Sequence, residues 1–166
     1  MKVAIDTNIF IHLFNPQNNE DSHIDQLLSH LAKLEYSLCV DSTNKIANEY
    51  QEKLIPMIER QDDRGIQLYI LRFWMALARV SVEIDVTDLL MQRIRQVIQE
   101  HDEHVDRAFI YVSCKGNCCL VTNDNEHILS RRRVIKEKTR KLRGDASIIL
   151  DSREAIPHFV NPGSRA

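Results

Sequence analysis

The segment KVAIDTNIFI, Lys2–Ile11, places two apolar runs on either side of a polar centre, Asp6–Asn8. Its apolar residues are typical of a buried β-strand, and they predict a strand signal over Val3–Ile11. A buried carboxylate without a partner is costly. Asp6 is therefore expected either to end the strand as a turn or helix cap, or to lie where a cation or substrate compensates its charge.

Three further strand signals alternate with helical patterns along the chain. The strand signals are Ser37–Asp41, Cys118–Thr122 and Ala146–Leu150, and apolar residues at three- and four-residue steps predict helices over Ile24–Leu34, Ile46–Met57, Leu90–Ile98 and Asp106–Lys115. This alternation predicts a three-layer α/β/α fold with a mainly parallel central sheet of four or five strands.

Single residues are expected to mark the helix ends. Thr87 or Asp88 suits the N-cap of the third helix, and Gly116 suits the C-cap of the fourth. Pro56 is expected to kink or end the second helix, because proline lacks the backbone N–H that a helix needs.

The 166 residues, 43% apolar and 28% charged, fit one globular domain, which we assign to residues 1–160 with a flexible tail at 161–166. No apolar run approaches the length of a membrane span, and the N-terminus does not resemble a signal peptide. These features predict a cytoplasmic protein without a membrane partner. Cys39, Cys114, Cys118 and Cys119 have a poor spacing for zinc and are expected to be buried thiols.

The segment Ile66–Leu77, IQLYILRFWMAL, is apolar nearly all round. A helix of this kind is usually buried on several sides. We interpret it as a core helix, with a contact surface of a homodimer as the alternative.

Basic residues concentrate between positions 131 and 143. This stretch of thirteen residues has a net charge of +7, which leaves −9 for the rest of the chain; its cations are Arg131, Arg132, Arg133, Lys136, Lys138, Arg140, Lys141 and Arg143. The segment shows no regular core face, which favours a long mobile loop or an exposed helix. Its charge indicates a polyanion partner, with a solvated surface helix as the alternative.

Acidic residues fall at the ends of predicted strands, where active sites of parallel α/β sheets gather. Asp6, Asp41 and Asp124 follow strands, Asp106 opens a helix, and Glu49 lies two turns into the helix after the second strand. Each has an ordinary alternative: a turn or helix cap for the aspartates, and an ion pair with Lys45 or Lys53 for Glu49. Together, Asp6 and Asp124 on adjacent strands would repel each other unless a divalent cation such as Mg²⁺ or Mn²⁺ lay between them.

The motif IDTNIF, Glu49 after the second strand, and DRAFIYVSCKGNCCLVTNDNEH over Asp106–His127 together resemble the PIN-domain nuclease family. The resemblance covers nearly the whole chain in order and spacing. It implies a PIN fold and a Mg²⁺- or Mn²⁺-dependent endoribonuclease that hydrolyses phosphodiester bonds in RNA, leaving a 5′-phosphate and a 3′-hydroxyl. The residues that it implies as both catalytic and metal-binding are Asp6, Glu49, Asp106 and Asp124. Many family members are toxins held by an antitoxin partner.

Further residues are expected to support this site. Asn8 and Thr122 would orient carboxylates or water, and Glu126 or Asp102 would add a ligand or a water contact. Glu52 competes with Glu49 for the second acidic position. His101 and His104 offer a minority metal-binding alternative, whereas His127 and the other histidines show no partner pattern.

The basic segment 131–143 is read as an insertion into the compact PIN pattern, and with the length of the chain it counts against a toxin without counting against a nuclease. A catalytically silent PIN-like module that binds RNA or protein remains the alternative, and DNA is not excluded as a substrate. A phosphatase of the Asp-x-Asp type is disfavoured because Asn8 holds the second position, and only four glycines argue against a nucleotide-binding Gly-rich loop.

Overall fold

The structure is a computed structural model that describes residues 2–13, 22–33, 36–60, 79–99, 104–140 and 148–160. The strands in these ranges are β1 (Lys2–Ile5), β2 (Ser37–Asp41), β3 (Arg79–Val82), β4 (Cys119–Val121) and β5 (Ile149–Leu150). The α-helices are α1 (Thr7–Leu13), α2 (Ser22–Lys33), α3 (Lys45–Arg60), α4 (Leu89–Val97), α5 (His104–Gly116), α6 (Arg132–Arg140) and α7 (Ser152–Val160), and a π-helical turn spans Asn125–Leu129.

Several sequence predictions lie outside the described residues. They are the apolar helix Ile66–Leu77 with its homodimer alternative, the residues His101, Asp102, Lys141 and Arg143, residues 146 and 147 of the strand predicted over Ala146–Leu150, and the tail 161–166.

The five described strands form one sheet in the order β3-β2-β1-β4-β5, and every pair of neighbours is parallel. Helices flank this sheet, and α5 packs against β1, β2, β3 and β4. The core contains buried residues of β1, β2 and β4 and of the described helices on both sides of the sheet, with α5 buried along much of its length. This arrangement confirms the predicted α/β class with a parallel sheet. None of the described helices is both long and apolar enough to cross a membrane.

The first strand is shorter than the sequence signal Val3–Ile11 predicts. β1 ends at Ile5, and α1 begins at Thr7. Ile9 and Phe10 are buried as helical residues, not as strand residues. A short apolar run does not by itself distinguish a strand from a buried helix, which is why the prediction was too long.

The strand β3 was missed by the sequence analysis. Its sequence is RVSV, and among the described strands it lies at one edge of the sheet and pairs with β2 alone. Val80 and Val82 are half-buried and Ser81 is exposed. An edge strand buries less apolar surface than a central strand, so its sequence carries a weaker hydrophobic signal.

Helix ends follow the expected capping chemistry with two corrections. Asp88 is the N-cap of α4, and its Oδ1 accepts from the backbone N–H of Leu90 at 3.0 Å. The helix α5 includes Gly116, and the residue with left-handed backbone is Asn117, with φ of 50°. Pro56 does not end α3, which continues to Arg60.

The basic segment contains a regular helix, α6. Ile135 and Thr139, four residues apart, are both buried, so the helix does have a core face. It packs against α4, and Nη1 of Arg93 donates to the carbonyl of Lys138 at 3.0 Å. The mobile-loop alternative is therefore wrong for Arg132–Arg140.

Candidate active site at the carboxyl edge of the sheet

Two neighbouring strands deliver polar side chains to the same edge of the sheet. β1 and β4 pair in parallel with Ile5 opposite Val121, so the residues that follow them emerge side by side. The backbone N–H of Asp6 donates to the carbonyl of Val121 at 2.8 Å, which extends the pairing by one bond. Asp6 and Thr122 therefore begin the site from adjacent strands.

Asp6 is a buried carboxylate held by polar neighbours. Only 4% of the residue is exposed. Its Oδ2 accepts from the hydroxyl of Thr122 at 2.6 Å and from the amide Nδ2 of Asn8 at 2.9 Å, and Oδ1 accepts from the backbone N–H of Asn8 at 3.3 Å. These bonds fix the orientation of the carboxylate before any ligand arrives.

Burial raises the pKa of Asp6 to about 6, because a carboxylate removed from water loses its solvation. The hydrogen bonds from Thr122 and Asn8 oppose this shift, and the negative charges of Glu49 and Asp124 add to it. Asp6 therefore lies within electrostatic range of both acids. Its charged form lacks full compensation, and a bound cation would supply it.

A chain of amide groups connects the two strand ends to α7. The backbone N–H of Asn123 donates to Oδ1 of Asn8 at 3.0 Å, and the backbone N–H of Ser152 donates to Oδ1 of Asn123 at 3.0 Å. The side chain of Asn123 thus accepts a hydrogen bond from the first residue of α7, while its backbone N–H donates to the side chain of Asn8. Asn8 and Thr122 both donate to the carboxylate of Asp6, and their orienting role in a catalytic site stays a prediction.

Asp124 is positioned as the N-cap of the π-helical turn. Its Oδ1 accepts from the backbone N–H groups of Glu126 and His127, both at 3.0 Å. Its own N–H donates to the hydroxyl of Thr122 at 2.9 Å. Asp124 therefore has the capping role that the sequence left open. The capping bonds use Oδ1, so Oδ2 can contact other groups.

Asp106, Asp124 and His127 form a cluster in which one ligand atom from each lies within 4.8 Å of the others. Nδ1 of His127 is 3.6 Å from Oδ2 of Asp106 and 3.5 Å from Oδ2 of Asp124. Two carboxylates and one imidazole at such separations could bind a metal ion. Asp106 reaches the cluster from the first turn of α5, eighteen residues before Asp124.

His127 was not identified from the sequence. It was grouped with histidines that lack a partner pattern, although it lies three residues after Asp124. Residues at this spacing share a helical face, which was a usable signal. The π-helical turn that brings the imidazole to both aspartates was not predictable from that spacing.

Glu49 lies in α3 and is 9% exposed. Its Oε1 is 2.7 Å from Nζ of Lys53, so the ion pair that the sequence offered as its alternative role does form. Burial lowers the pKa of Lys53, but the hydrogen bond and charge of Glu49 and the charges of Asp6 and Asp106 outweigh it and raise that pKa. Lys53 therefore lies in the field of three of the four predicted acids. Glu52, the competitor for this position, is exposed.

Tyr50 connects α3 to the end of β1 by a hydrogen bond. Its hydroxyl donates to the carbonyl of Ile5, directly before Asp6. Burial raises the pKa of the Tyr50 hydroxyl well above its ordinary value, and the charges of Asp6 and Glu49 raise it further. The preceding residue, Glu49, is thereby held on the side of the helix near Asp6.

Asp41, the acid at the end of β2, has a structural role. It is 1% exposed, and its carboxylate accepts from the backbone N–H groups of Lys45 at 3.0 Å and Ile46 at 2.8 Å and from the hydroxyl of Thr43. These bonds satisfy backbone N–H groups in the first turn of α3.

Glu126 is a predicted supporting residue. Its side chain is 86% exposed, and its Oε1 lies 3.8 Å from Nε2 of His127.

Basic residues of α6 border a groove of about 350 Å³ on the β5 side of the sheet. Arg132, Arg133 and Lys136 line it together with Ile148–Leu150 and Glu154. Nη1 of Arg132 contacts Oε2 of Glu154 at 2.5 Å. Among the described residues, Arg133 and Lys136 have no ion-pair partner, so their charges are available to a ligand.

No protein-family model matches the sequence, and no curated protein matches it. A comparison with solved structures finds similarity to VapBC2 from Rickettsia felis, crystallised with a DNA fragment from the promoter. The similarity spans 91% of this chain and 98% of that chain, with 15% sequence identity and a TM-score of 0.49.

Proposed function

We propose that this chain is a metal-dependent endoribonuclease of the PIN type, which hydrolyses phosphodiester bonds in RNA. The observation that carries the proposal is the convergence of Asp6, Asp106 and Asp124 from separate parts of the sequence. Asp106 and Asp124 share a cluster, and Asp124 acts electrostatically on the buried Asp6. Clustered acids of this kind are unfavourable alone and become favourable around a hard cation.

The donor set fits a divalent metal. Asp6, Glu49, Asp106 and Asp124 would hold Mg²⁺ or Mn²⁺, because carboxylate oxygens suit both ions and the raised pKa of Asp6 marks a charge in need of compensation. When bound, such an ion lowers the pKa of a water molecule and neutralises charge on a phosphate.

The protein's own contribution is to hold the acids in place. Thr122 and Asn8 orient the carboxylate of Asp6, and the N–H groups of the π-helical turn orient Asp124. Lys53 balances Glu49 and lies in the field of the site, so its ammonium group would attract a phosphate toward the acids. Such fixed positions reduce the reorganisation needed during reaction.

RNA is the proposed substrate because a separate basic surface accompanies the acids. α6 follows the π-helical turn after only two residues. Its cations, together with Arg131, would contact phosphates and set affinity rather than sequence preference; the described ones are Arg131, Arg132, Arg133, Lys136, Lys138 and Arg140.

A toxin role with an antitoxin partner is a further part of the proposal, supported by the sequence resemblance alone. A cytoplasmic location is supported by the four cysteines, all buried and free of disulfide bonds, as expected in a reducing compartment. Arrest of growth on expression, relieved by a protein encoded beside this chain, would support the toxin role. Growth without arrest would oppose it and leave the nuclease proposal in place.

The nuclease proposal is tested by cleavage of end-labelled RNA with Mg²⁺ or Mn²⁺ and with EDTA. Asp6→Asn keeps the size of the side chain but removes its charge, so we expect cleavage to fall about 100-fold or more. The matched control is Asp85→Asn, since Asp85 is exposed and follows β3, two strands away from β1. This control should cleave at the wild-type rate.

Activity that survives in Asp6→Asn would refute the proposed site. Wild-type protein that binds RNA but never cleaves it, with either metal, would instead favour the catalytically silent binding module. Circular dichroism of each variant shows whether a loss of cleavage reflects a loss of fold.

A further inference from the structure

The cluster of Asp106, Asp124 and His127 differs from an all-carboxylate metal site because it contains a nitrogen donor. We infer that Nδ1 of His127 is a direct ligand of the metal and gives the site a preference for Mn²⁺ over Mg²⁺. This inference rests on the proposed function, because it assumes that the acids of this edge hold a divalent ion.

The distances between the ring nitrogen and the two carboxylate oxygens are compatible with three ligands of one metal ion. Ligand atoms about 2.1 Å from one metal ion lie about 3 Å apart when adjacent and about 4.2 Å apart when opposite. Nδ1 of His127 lies 3.6 Å from Oδ2 of Asp106 and 3.5 Å from Oδ2 of Asp124, between these two values. Both distances exceed those of a good N–H···O hydrogen bond, and they fall within ion-pair range when the imidazole is protonated.

The local backbone holds the imidazole at the site. His127 lies inside the π-helical turn, and its own backbone N–H is bound by Oδ1 of Asp124 at 3.0 Å. The same aspartate therefore fixes the backbone of His127 with one oxygen and faces its ring with the other. The side chain of His127 is 30% exposed, which leaves a path for a metal ion from solvent.

The chemistry of the donors predicts the preference. Mg²⁺ favours oxygen ligands, whereas imidazole nitrogen suits transition metals, and Mn²⁺ accepts both kinds. Replacing one oxygen position by imidazole nitrogen therefore weakens Mg²⁺ binding more than Mn²⁺ binding. Glu126, at the edge of the cluster, remains available as an exposed carboxylate near Nε2 of the same ring.

Pulsed electron paramagnetic resonance of bound Mn²⁺ tests the inference, because a directly bonded ¹⁴N couples to the electron spin of the metal. The protein is prepared without a histidine tag and in a buffer without nitrogen ligands. We expect a ¹⁴N coupling in wild-type protein and in His104→Gln, and its loss in His127→Gln and His127→Asp. His104 is the matched control, since it is exposed on the same helix as Asp106.

Calorimetry with Mn²⁺ and Mg²⁺ gives the second readout. Loss of a residue that hydrogen-bonds to a metal ligand commonly costs about 10- to 100-fold in metal affinity, so removing a direct ligand in His127→Gln should raise the Kd for Mn²⁺ at least about tenfold. The Kd for Mg²⁺ should rise by a smaller factor. His127→Asp, which supplies an oxygen, should keep metal binding while losing the preference for Mn²⁺.

The outcomes separate the two levels of inference. Mn²⁺ bound by wild-type protein without a ¹⁴N coupling, or with a coupling that persists in His127→Asp, overturns the role of His127 and leaves the nuclease proposal standing. Wild-type protein that binds no Mn²⁺ overturns both. Because the wild-type spectrum alone can contradict the inference, the test does not depend on the folding of any variant.

Discussion

Two regions of the molecule carry opposite charge and hold their charged side chains in different ways. One is the basic helix α6, and the other is the acidic edge, which we define by Asp6, Asp106, Asp124 and His127. At the acidic edge, hydrogen bonds from side chains and backbone N–H groups fix the carboxylates of Asp6 and Asp124. In α6, buried Ile135 and Thr139 anchor the helix while the cations extend outward. A chemical step requires fixed donors, whereas phosphate attraction requires only charge at a suitable place.

Among the substitutions that compare the two regions, those of Asp124 should have the largest effect on RNA cleavage. Asp124→Asn removes the charge but keeps an oxygen for the capping bonds, so we expect RNA cleavage to fall about 100-fold or more with little loss of stability. Asp124→Ala removes both and should also lower the free energy of unfolding by about 1 kcal/mol. RNA cleavage assays and urea unfolding distinguish the two roles. Equal stability of the two variants would show that the capping bonds contribute nothing.

Removal of the charges of Arg133 and Lys136 should affect RNA binding and not the cleavage step. Arg133→Gln with Lys136→Gln should weaken RNA binding about tenfold and reduce the slope of log affinity against log salt by about 1.4, since each phosphate contact of a single strand contributes about 0.7. Titration of labelled RNA at several salt concentrations measures both quantities.

Arg132→Gln is the matched control for that pair. Arg132 already contacts Glu154, so we expect its loss to change RNA affinity less than the loss of Arg133 or Lys136, which have no ion-pair partner among the described residues. Metal binding should be unchanged in the double variant and in the control. A salt slope that stays at the wild-type value in the double variant would remove α6 from the RNA-binding surface.

The raised pKa of Asp6 makes stability depend on pH. The pKa of the Asp6 carboxyl is about 6 in the folded protein, against 3.8 for the free carboxyl. Between these two pH values the folded state binds more protons than the unfolded state. The free energy of unfolding therefore falls as pH rises through this range. Without divalent metal, the wild type should lose about 1 kcal/mol relative to Asp6→Asn between pH 5 and pH 7. Urea unfolding in EDTA at both pH values measures this difference. Saturating Mn²⁺ should remove it, and a difference of opposite sign would contradict the burial of Asp6.

Glu49 should show the smallest effect on activity, because Lys53 already pairs with it. We expect Glu49→Gln to lower cleavage about threefold to tenfold, while Glu52→Gln, three residues along the same helix and exposed, leaves cleavage unchanged. Initial rates at saturating Mn²⁺ compare the two. A larger loss in Glu52→Gln would transfer the second acidic position to that residue.

The sequence predicted the parallel α/β class and most helices because these elements depend on regular spacing of apolar residues. It also marked Asp6 and Asp124 as candidates, since polar residues after buried strands are few, and it marked Asp106 by its place at the start of the helix that leads into the fourth strand. It failed at Val3–Ile11, where one apolar run covers both a strand and the start of a helix. It failed again at β3, whose edge position needs little apolar sequence. The identity of the catalytic residues stays a prediction.

The sequence by itself determined which residues could form strands, which acids follow them, and where positive charge concentrates, because each of these depends on neighbours along the chain. Only the tertiary structure decided that Asp6 lies within electrostatic range of Asp124, and that His127 joins Asp106 and Asp124. The reason is geometric: the β1–β4 pairing and the π-helical turn set distances between residues that are far apart in sequence or in an irregular backbone, and no local pattern encodes those distances.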